Sequence, residues 1–349
     1  MTPAIWLPGV TAFLAFLFAL ALLDQWRERR RVFQLAWAVG MVCFGLASGA
    51  EALAASIGWN DALYRLWYLA GAALTAGWLG LGTVYLLART RFGYTVAVIL
   101  FLAGLLTLVR QRPEDVDAAV QVAYFLVATV LAIAIGVTTY FQDDRWSRLA
   151  AVTIVCGSVL AIVLVYAAPL PPTGYALDPR TGVPVSTLFP GALRLLTPIL
   201  NITGGVTLGL GALFSTYVFM PKRRVLGYSL DPGQTGDVFL FNLVIAPIAI
   251  LVNLVASLPM AIRALLARRI HSRVPATILI ALGAFIPSIT DSLLRFGTTE
   301  GFQASKLLSV VLLFAGFLVS IEVFREIRVP FTSIRLRTGR RERVATEDH

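Results

Sequence analysis

Residues 5–23, IWLPGVTAFLAFLFALALL, run straight into DQWRERRR at residues 24–31, and this junction decides the fold. No side chain of the first run ionises. As a helix rising 1.5 Å per residue it is about 28 Å long, close to the hydrocarbon thickness of a bilayer. Lipid offers a backbone no hydrogen-bond partner, so such a run must bond internally as a helix. The Arg27–Arg31 cluster marks the end that stays in the cytoplasm under the positive-inside rule. No small-residue cleavage site follows the run, so it is expected to be retained as a helix and not removed as a signal peptide.

The pattern recurs along the chain. The 349 residues are 58% hydrophobic and only 14% charged, against about 25% charged in a soluble domain. Further apolar stretches lie at 33–57, 62–88, 94–110, 118–141, 147–168, 190–220, 237–258, 274–294 and 303–325. The expected architecture is all-α, a polytopic transmembrane helix bundle with about nine full crossings. The organisation read from the sequence is a seven-helix bundle over 1–220, then a link, apolar segment and basic helix over 221–273. Two more helices follow over 274–325, and a basic tail over 326–349.

Charge fixes the threading. The formal net charge is +10, and of the 29 basic residues only Lys222 and Lys306 are Lys. A basic chain can signal nucleic acid, but here the Arg sit in short loops between apolar spans, which excludes that reading in favour of membrane topology. Inner loops are expected at Arg89–Arg91, Asp143–Arg148 and Lys222–Arg224, with the N-terminus outside and the tail in the cytoplasm. The Arg-rich, Lys-poor, Ala- and Leu-rich usage suggests a bacterial cytoplasmic membrane.

The segment 237–258 conflicts with its flanks. A full crossing would put Arg263, Arg268, Arg269 and Arg273 outside. Pro247 and Asn253 interrupt it and Pro259 closes it, so a broken or re-entrant segment is expected there. Met260–Arg273 then forms an amphipathic helix on the inner leaflet or a helical extension whose Arg side chains snorkel, and in either case Arg263, Arg268 and Arg269 meet anionic lipid headgroups.

Few residues inside the spans carry chemistry. Glu51 lies about two turns from the outer end of the second span, and intramembrane carboxylates usually face a partner or a cavity. Arg65, one turn into the third span, is its expected partner. An outer cluster of Asp291, Arg295, Glu300 and Lys306 is expected between the ninth and tenth spans, with Arg194 near it. These five candidates (Glu51, Arg65, Asp291, Arg295 and Lys306) fit ligand-binding or structural ion pairs. With His271 and His349 the only His, and Cys43 and Cys156 the only Cys, no metal site, haem or other cofactor is expected. Small residues such as Gly77, Gly80, Gly205 and Gly209 suit close helix packing.

Phe33-Gln34-Leu35-Ala36-Trp37, then Glu51, then Leu66-Trp67-Tyr68-Leu69-Ala70-Gly71 carry a resemblance. On these residues the first seven spans resemble the seven-helix sensor region at the N-terminus of some bacterial histidine kinases. No kinase core follows, so the resemblance implies a sensing module without its own catalytic output. The functional expectation is a non-enzymatic sensor-like or membrane-partner subunit, with a possible cytoplasmic protein partner at the basic tail. The alternative is a small-molecule transporter built on the discontinuous eighth segment.

Overall fold

In the computed structural model, described residues are 3–141, 144–170, 174–179, 182–231, 233, 236–267, 271, 273–293, 299–320, 327–328 and 335–336. Among the described residues the fold is all-α apart from one two-residue ladder and an isolated Leu177–Pro184 bridge. Its helices are α1 Pro3–Arg29, α2 Val32–Ile57, α3 Asp61–Leu86, α4 Gly93–Val109, α5 Ala118–Tyr140 and α6 Arg145–Ala167. They continue as α7 Gly191–Phe219, α8 Phe239–Leu266, α9 Arg273–Leu293 and α10 Thr299–Val319. Eight of them (α1, α2, α3, α5, α6, α7, α8 and α10) are long and apolar enough to span a membrane, which makes this a multi-pass membrane protein. Ile327–Arg328 pairs antiparallel with Arg335–Leu336 beside α1.

Short connections make sequential neighbours antiparallel. Gly58 ends α2 at φ 85°, a left-handed conformation that glycine adopts without strain, and its N–H bonds the Ala54 carbonyl. Two residues on, the Asn60 side chain accepts the Leu63 N–H at 3.0 Å and starts α3. The small residues bring α3 and α7 together. A Cβ on Gly80 would fall 2.5 Å from the Gly204 Cα, so these backbones touch with no side chain between them.

The α9–α10 hairpin is built into the bundle. α9 packs on α7 and α10 on α1, and Phe18, Trp37 and Phe317 share one core, with ring centroids 4.5–5.0 Å apart. The pairing of α9 with α7 is antiparallel. The Arg273 guanidinium sits over the Phe219 ring, the Thr277 hydroxyl lies 2.8 Å from that of Thr216, and Phe285 fills the space beside Gly209. α9 therefore starts at the end of the bundle where α7 finishes.

This placement decides the path of α8, which lies between them in sequence. The expected broken or re-entrant segment is not formed: Phe239–Leu266 is one continuous helix with Pro247 and Pro259 inside it. Nor does it run between the two ends of the bundle. Phe239 packs its ring on Tyr94, at the start of α4, and on Tyr140, at the end of α5. Further along, Ile250, Leu254 and Ala261 pack with Tyr217, Met220 and Val274. Every one of these partners belongs to the same end, so α8 lies across it, about 42 Å long at 1.5 Å per residue.

Asn253 marks an anchor where a break was expected. Its Oδ1 accepts the N–H groups of Val225 and Leu226 at 2.7 and 2.9 Å, and its Nδ2 donates to the Leu226 carbonyl at 2.8 Å. One turn on, the Ser257 hydroxyl accepts the Arg223 N–H at 2.9 Å. The amide thus caps the polar edge of the α7–α8 link and leaves the helix intact. Met260–Leu266 forms the last turns of α8 and not a separate amphipathic helix; Arg268 and Arg269 lie outside the described residues.

Candidate functional site

Glu51 anchors the most developed polar site in the interior. Its carboxylate Oε1 accepts the Trp67 Nε1–H at 2.7 Å, and Oε2 accepts the Gln303 Nε2–H at 2.8 Å. The Lys306 ammonium bridges both oxygens at 2.7 and 2.6 Å. The two charged side chains are only 4% and 12% exposed. Three helices meet here, α2 through Glu51, α3 through Trp67 and α10 through Gln303 and Lys306. Gln303 and Lys306 stand three apart and so share one face of α10.

The expected Glu51–Arg65 pair is not formed. Arg65 donates through Nε to both oxygens of Asp61, at 3.0 and 2.9 Å, and through its terminal nitrogens to the carbonyls of Val165 and Ala168. These carbonyls belong to the end of α6, whose last acceptors have no partner within their own helix and attract a cation. Two residues on α3 are separated by about 200° around the axis, so Trp67 faces α2 when Arg65 faces α6. Lys306 likewise leaves the expected outer cluster for Glu51. Asp291 lies on α9 with its side chain outside the described residues, Arg295 lies outside them altogether, and Glu300 is exposed. Arg194 meets Asp115 at 2.8 Å; the α9–α10 turn it was expected to join lies outside the described residues.

Just past Trp67 the helix α3 loosens. Tyr68–Leu74 is π-helical, and the Thr75 hydroxyl bonds the Ala70 carbonyl five residues back. Asn201 of α7 donates to the Ala72 carbonyl at 2.6 Å, satisfying an acceptor on the widened turn. Such bulges concentrate at functional sites. This one carries an aromatic shelf: Tyr68 packs on Phe189 at 4.3 Å and Trp67 on Tyr68 at 6.1 Å. The Tyr64 hydroxyl ties the shelf to the Val185 carbonyl at 2.7 Å.

A cleft of about 950 Å3 opens above that shelf, between α3, the α4–α5 loop and the start of α7. Arg110, Arg112 and Arg194 stand around it with Glu114 and Asp115. Asp115 is engaged by α7: its Oδ2 accepts the Gly191 N–H at 2.6 Å and its Oδ1 meets Arg194. The Gly191 bond, supported by Arg194, holds this carboxyl below the usual carboxylate range. At the opposite end a second cavity of about 940 Å3 lies among Arg29, Arg31, Trp37, Arg273 and Phe317. Among the described residues no three of His, Cys, Asp and Glu gather as a metal would require.

The sequence singled out Glu51 and Lys306 separately but did not pair them, and it missed Gln303 and the bond from Trp67. The lone carboxylate in an apolar run was the signal for Glu51. For Lys306 the matching signal was a lone ammonium starting an apolar helix, Glu51 being the buried acid among the described side chains. The chain matches no family model, no curated protein and no solved structure.

Proposed function

We propose that this protein is a non-enzymatic, sensor-like or membrane-partner subunit, in which the Glu51 site couples the end of the bundle bearing the cleft to α10 and the tail beyond it. The observation that carries this reading is the four-bonded Glu51 carboxylate, which fastens the start of α10 to α2 and α3. Any change at Trp67 is felt at Lys306 through one shared carboxylate, and α10 leads from there to the opposite end. A structural ion pair would need only Lys306. The added bonds from Trp67, which lines a cleft, and Gln303 favour a coupling role.

The proposed setting is the bacterial cytoplasmic membrane, with the N-terminus outside and the C-terminus in the cytoplasm. Arg27, Arg29–Arg31, Arg89, Arg91, Arg148, Arg223, Arg224, Arg263 and Arg273 fall at one end of the bundle, which the positive-inside rule assigns to the cytoplasm. There Arg263, with Arg268 and Arg269, meets anionic lipid headgroups, and the basic tail meets a cytoplasmic protein. The transporter alternative drew on a broken eighth segment, and a continuous α8 leaves it without that support.

The test uses the full chain in nanodiscs, with single cysteines introduced in turn along the tail and labelled by a water-soluble maleimide. Glu51→Gln should change the tail's labelling rates at least threefold while the α1–α2 loop is unaffected. Unchanged rates along the tail would overturn the coupling.

A further inference from the structure

We infer that the cleft between α3, the α4–α5 loop and the start of α7 binds an organic anion, a carboxylate or phosphate carried on an apolar body. The inference rests on the sensor reading above and supplies its ligand class.

The argument begins with charge. Three guanidinium groups and two carboxylates stand around the cleft, and Asp115 is already committed to Gly191 and Arg194. Arg194 is committed in turn, since its Nε also donates to the Phe189 carbonyl at 3.0 Å. Arg110, Arg112 and Glu114 form no ion pair among the described residues. Two cations therefore face one remaining acid, and the cleft keeps a positive excess that a cationic or neutral ligand would not use. Planar guanidinium groups bind carboxylate and phosphate through paired, charge-assisted hydrogen bonds.

The floor sets the rest of the ligand. Half-buried Trp67 offers ring surface beneath the Arg rim, and Tyr68 and Phe189, buried behind it, back that surface from below. Inorganic phosphate would leave that surface wet, whereas an aromatic or aliphatic body stacks on it. The volume, about 950 Å3, suits a small amphiphile and lies within the usual range of ligand pockets. Trp67 links binding to response. The same indole that lines the cleft holds its N–H on Glu51 at 2.7 Å, so a body stacked on the ring bears directly on the Glu51–Lys306 pair.

The chemistry has two sources, a soluble organic anion or the headgroup and upper chain of an outer-leaflet phospholipid. Full-length protein in phosphatidylcholine nanodiscs would be titrated with 3-phenylpropionate, phenyl phosphate and inorganic phosphate, reading intrinsic fluorescence and unfolding temperature. A parallel sample in phosphatidylglycerol nanodiscs carries no added probe. The expected result is saturable binding of at least one phenyl anion, weakened about tenfold by Arg110→Gln and by Arg112→Gln, with inorganic phosphate much weaker. Trp67→Phe should remove most of the fluorescence change. The unfolding temperature of each variant without probe checks that it folds. Stabilisation by phosphatidylglycerol that both Arg variants abolish supports the same site with a lipid as its ligand. Binding that is indifferent to both Arg variants, equal binding of inorganic phosphate, or no response to any probe or lipid overturns the inference. Failure of the coupling reading is separate: it would appear as normal anion binding with tail labelling unchanged by Glu51→Gln.

Discussion

At the residue scale, Glu51 and Lys306 hold each other in a place where neither charge could stand alone. Removing one partner of a buried pair leaves the other charged and unpaired, which costs about 3–5 kcal/mol, whereas removing both charges costs far less. Glu51→Gln should therefore destabilise strongly, as should Lys306→Met. The double variant should lose less than the sum of the two, because the Gln amide oxygen still accepts from Trp67 or Gln303. Unfolding temperatures of the four proteins in one detergent make the measurement. Additive losses would mean that the two side chains do not share an interaction. Arg65 offers the contrast. Its Asp61 partner sits half exposed at a helix start, where a salt bridge contributes about 0–1 kcal/mol. Asp61→Asn should then be mild beside either Glu51 or Lys306 substitution.

At the element scale, α8 divides its two expected interruptions, Asn253 and Pro247, into one that matters and one that does not. Asn253 satisfies two backbone N–H groups and one carbonyl of the α7–α8 link, so Asn253→Leu strands them and should cost about 2–3 kcal/mol. Pro247 interrupts no element. Pro247→Ala restores a helical hydrogen bond and should leave stability unchanged or raised. A protease acting on residues 220–231 separates the two, since only the Asn253 variant should open that link. A fall in stability for Pro247→Ala as large as that for Asn253→Leu would restore the broken-segment view.

The contrast explains what could be read from the sequence. Apolar length and low charge are local properties, and they located most helix ends to within a few residues, although the first and eighth helices run on past their apolar stretches to Arg29 and Leu266. Direction is not local. Phe241–Leu266 is long and apolar enough for a crossing, yet α8 lies across one end because Phe239, Asn253 and Ala261 find partners there. The flanking Arg263, Arg268, Arg269 and Arg273 hinted that the chain returns to the same side, though Pro247, Asn253 and Pro259 pointed to a broken segment as the means. The site divides in the same way. A lone carboxylate made Glu51 visible, but nearness in sequence favoured Arg65, fourteen positions away, over Lys306 on the last helix. The π-helical turn left no mark in the apolar pattern, since Tyr68–Leu74 reads as well in either helix type.

At the scale of the whole molecule, nine of the ten described helices alternate in direction and one does not, and this asymmetry gathers the cations. With α8 lying across the end, Arg29, Leu86, Tyr140, Phe219 and Arg273 all lie on one side, and the Asp61 and Asp115 turns open on the other. Had α8 run between the ends, α9 and α10 would be inverted. Thr277 could not then meet Thr216, nor could Lys306 reach Glu51. Reporter fusions follow directly from this geometry. Fusions after residues 232, 266 and 349 should report the same compartment, and an insertion in the loop at 110–117 should report the opposite one. The positive-inside rule makes the first compartment the cytoplasm. If all three fusions reported the exterior, only the orientation would be reversed and the shared placement would stand. If residues 232 and 266 reported opposite sides, α8 would cross the membrane in the cell, and the packing of α9 on α7 that brings Lys306 to Glu51 would have to be abandoned with it.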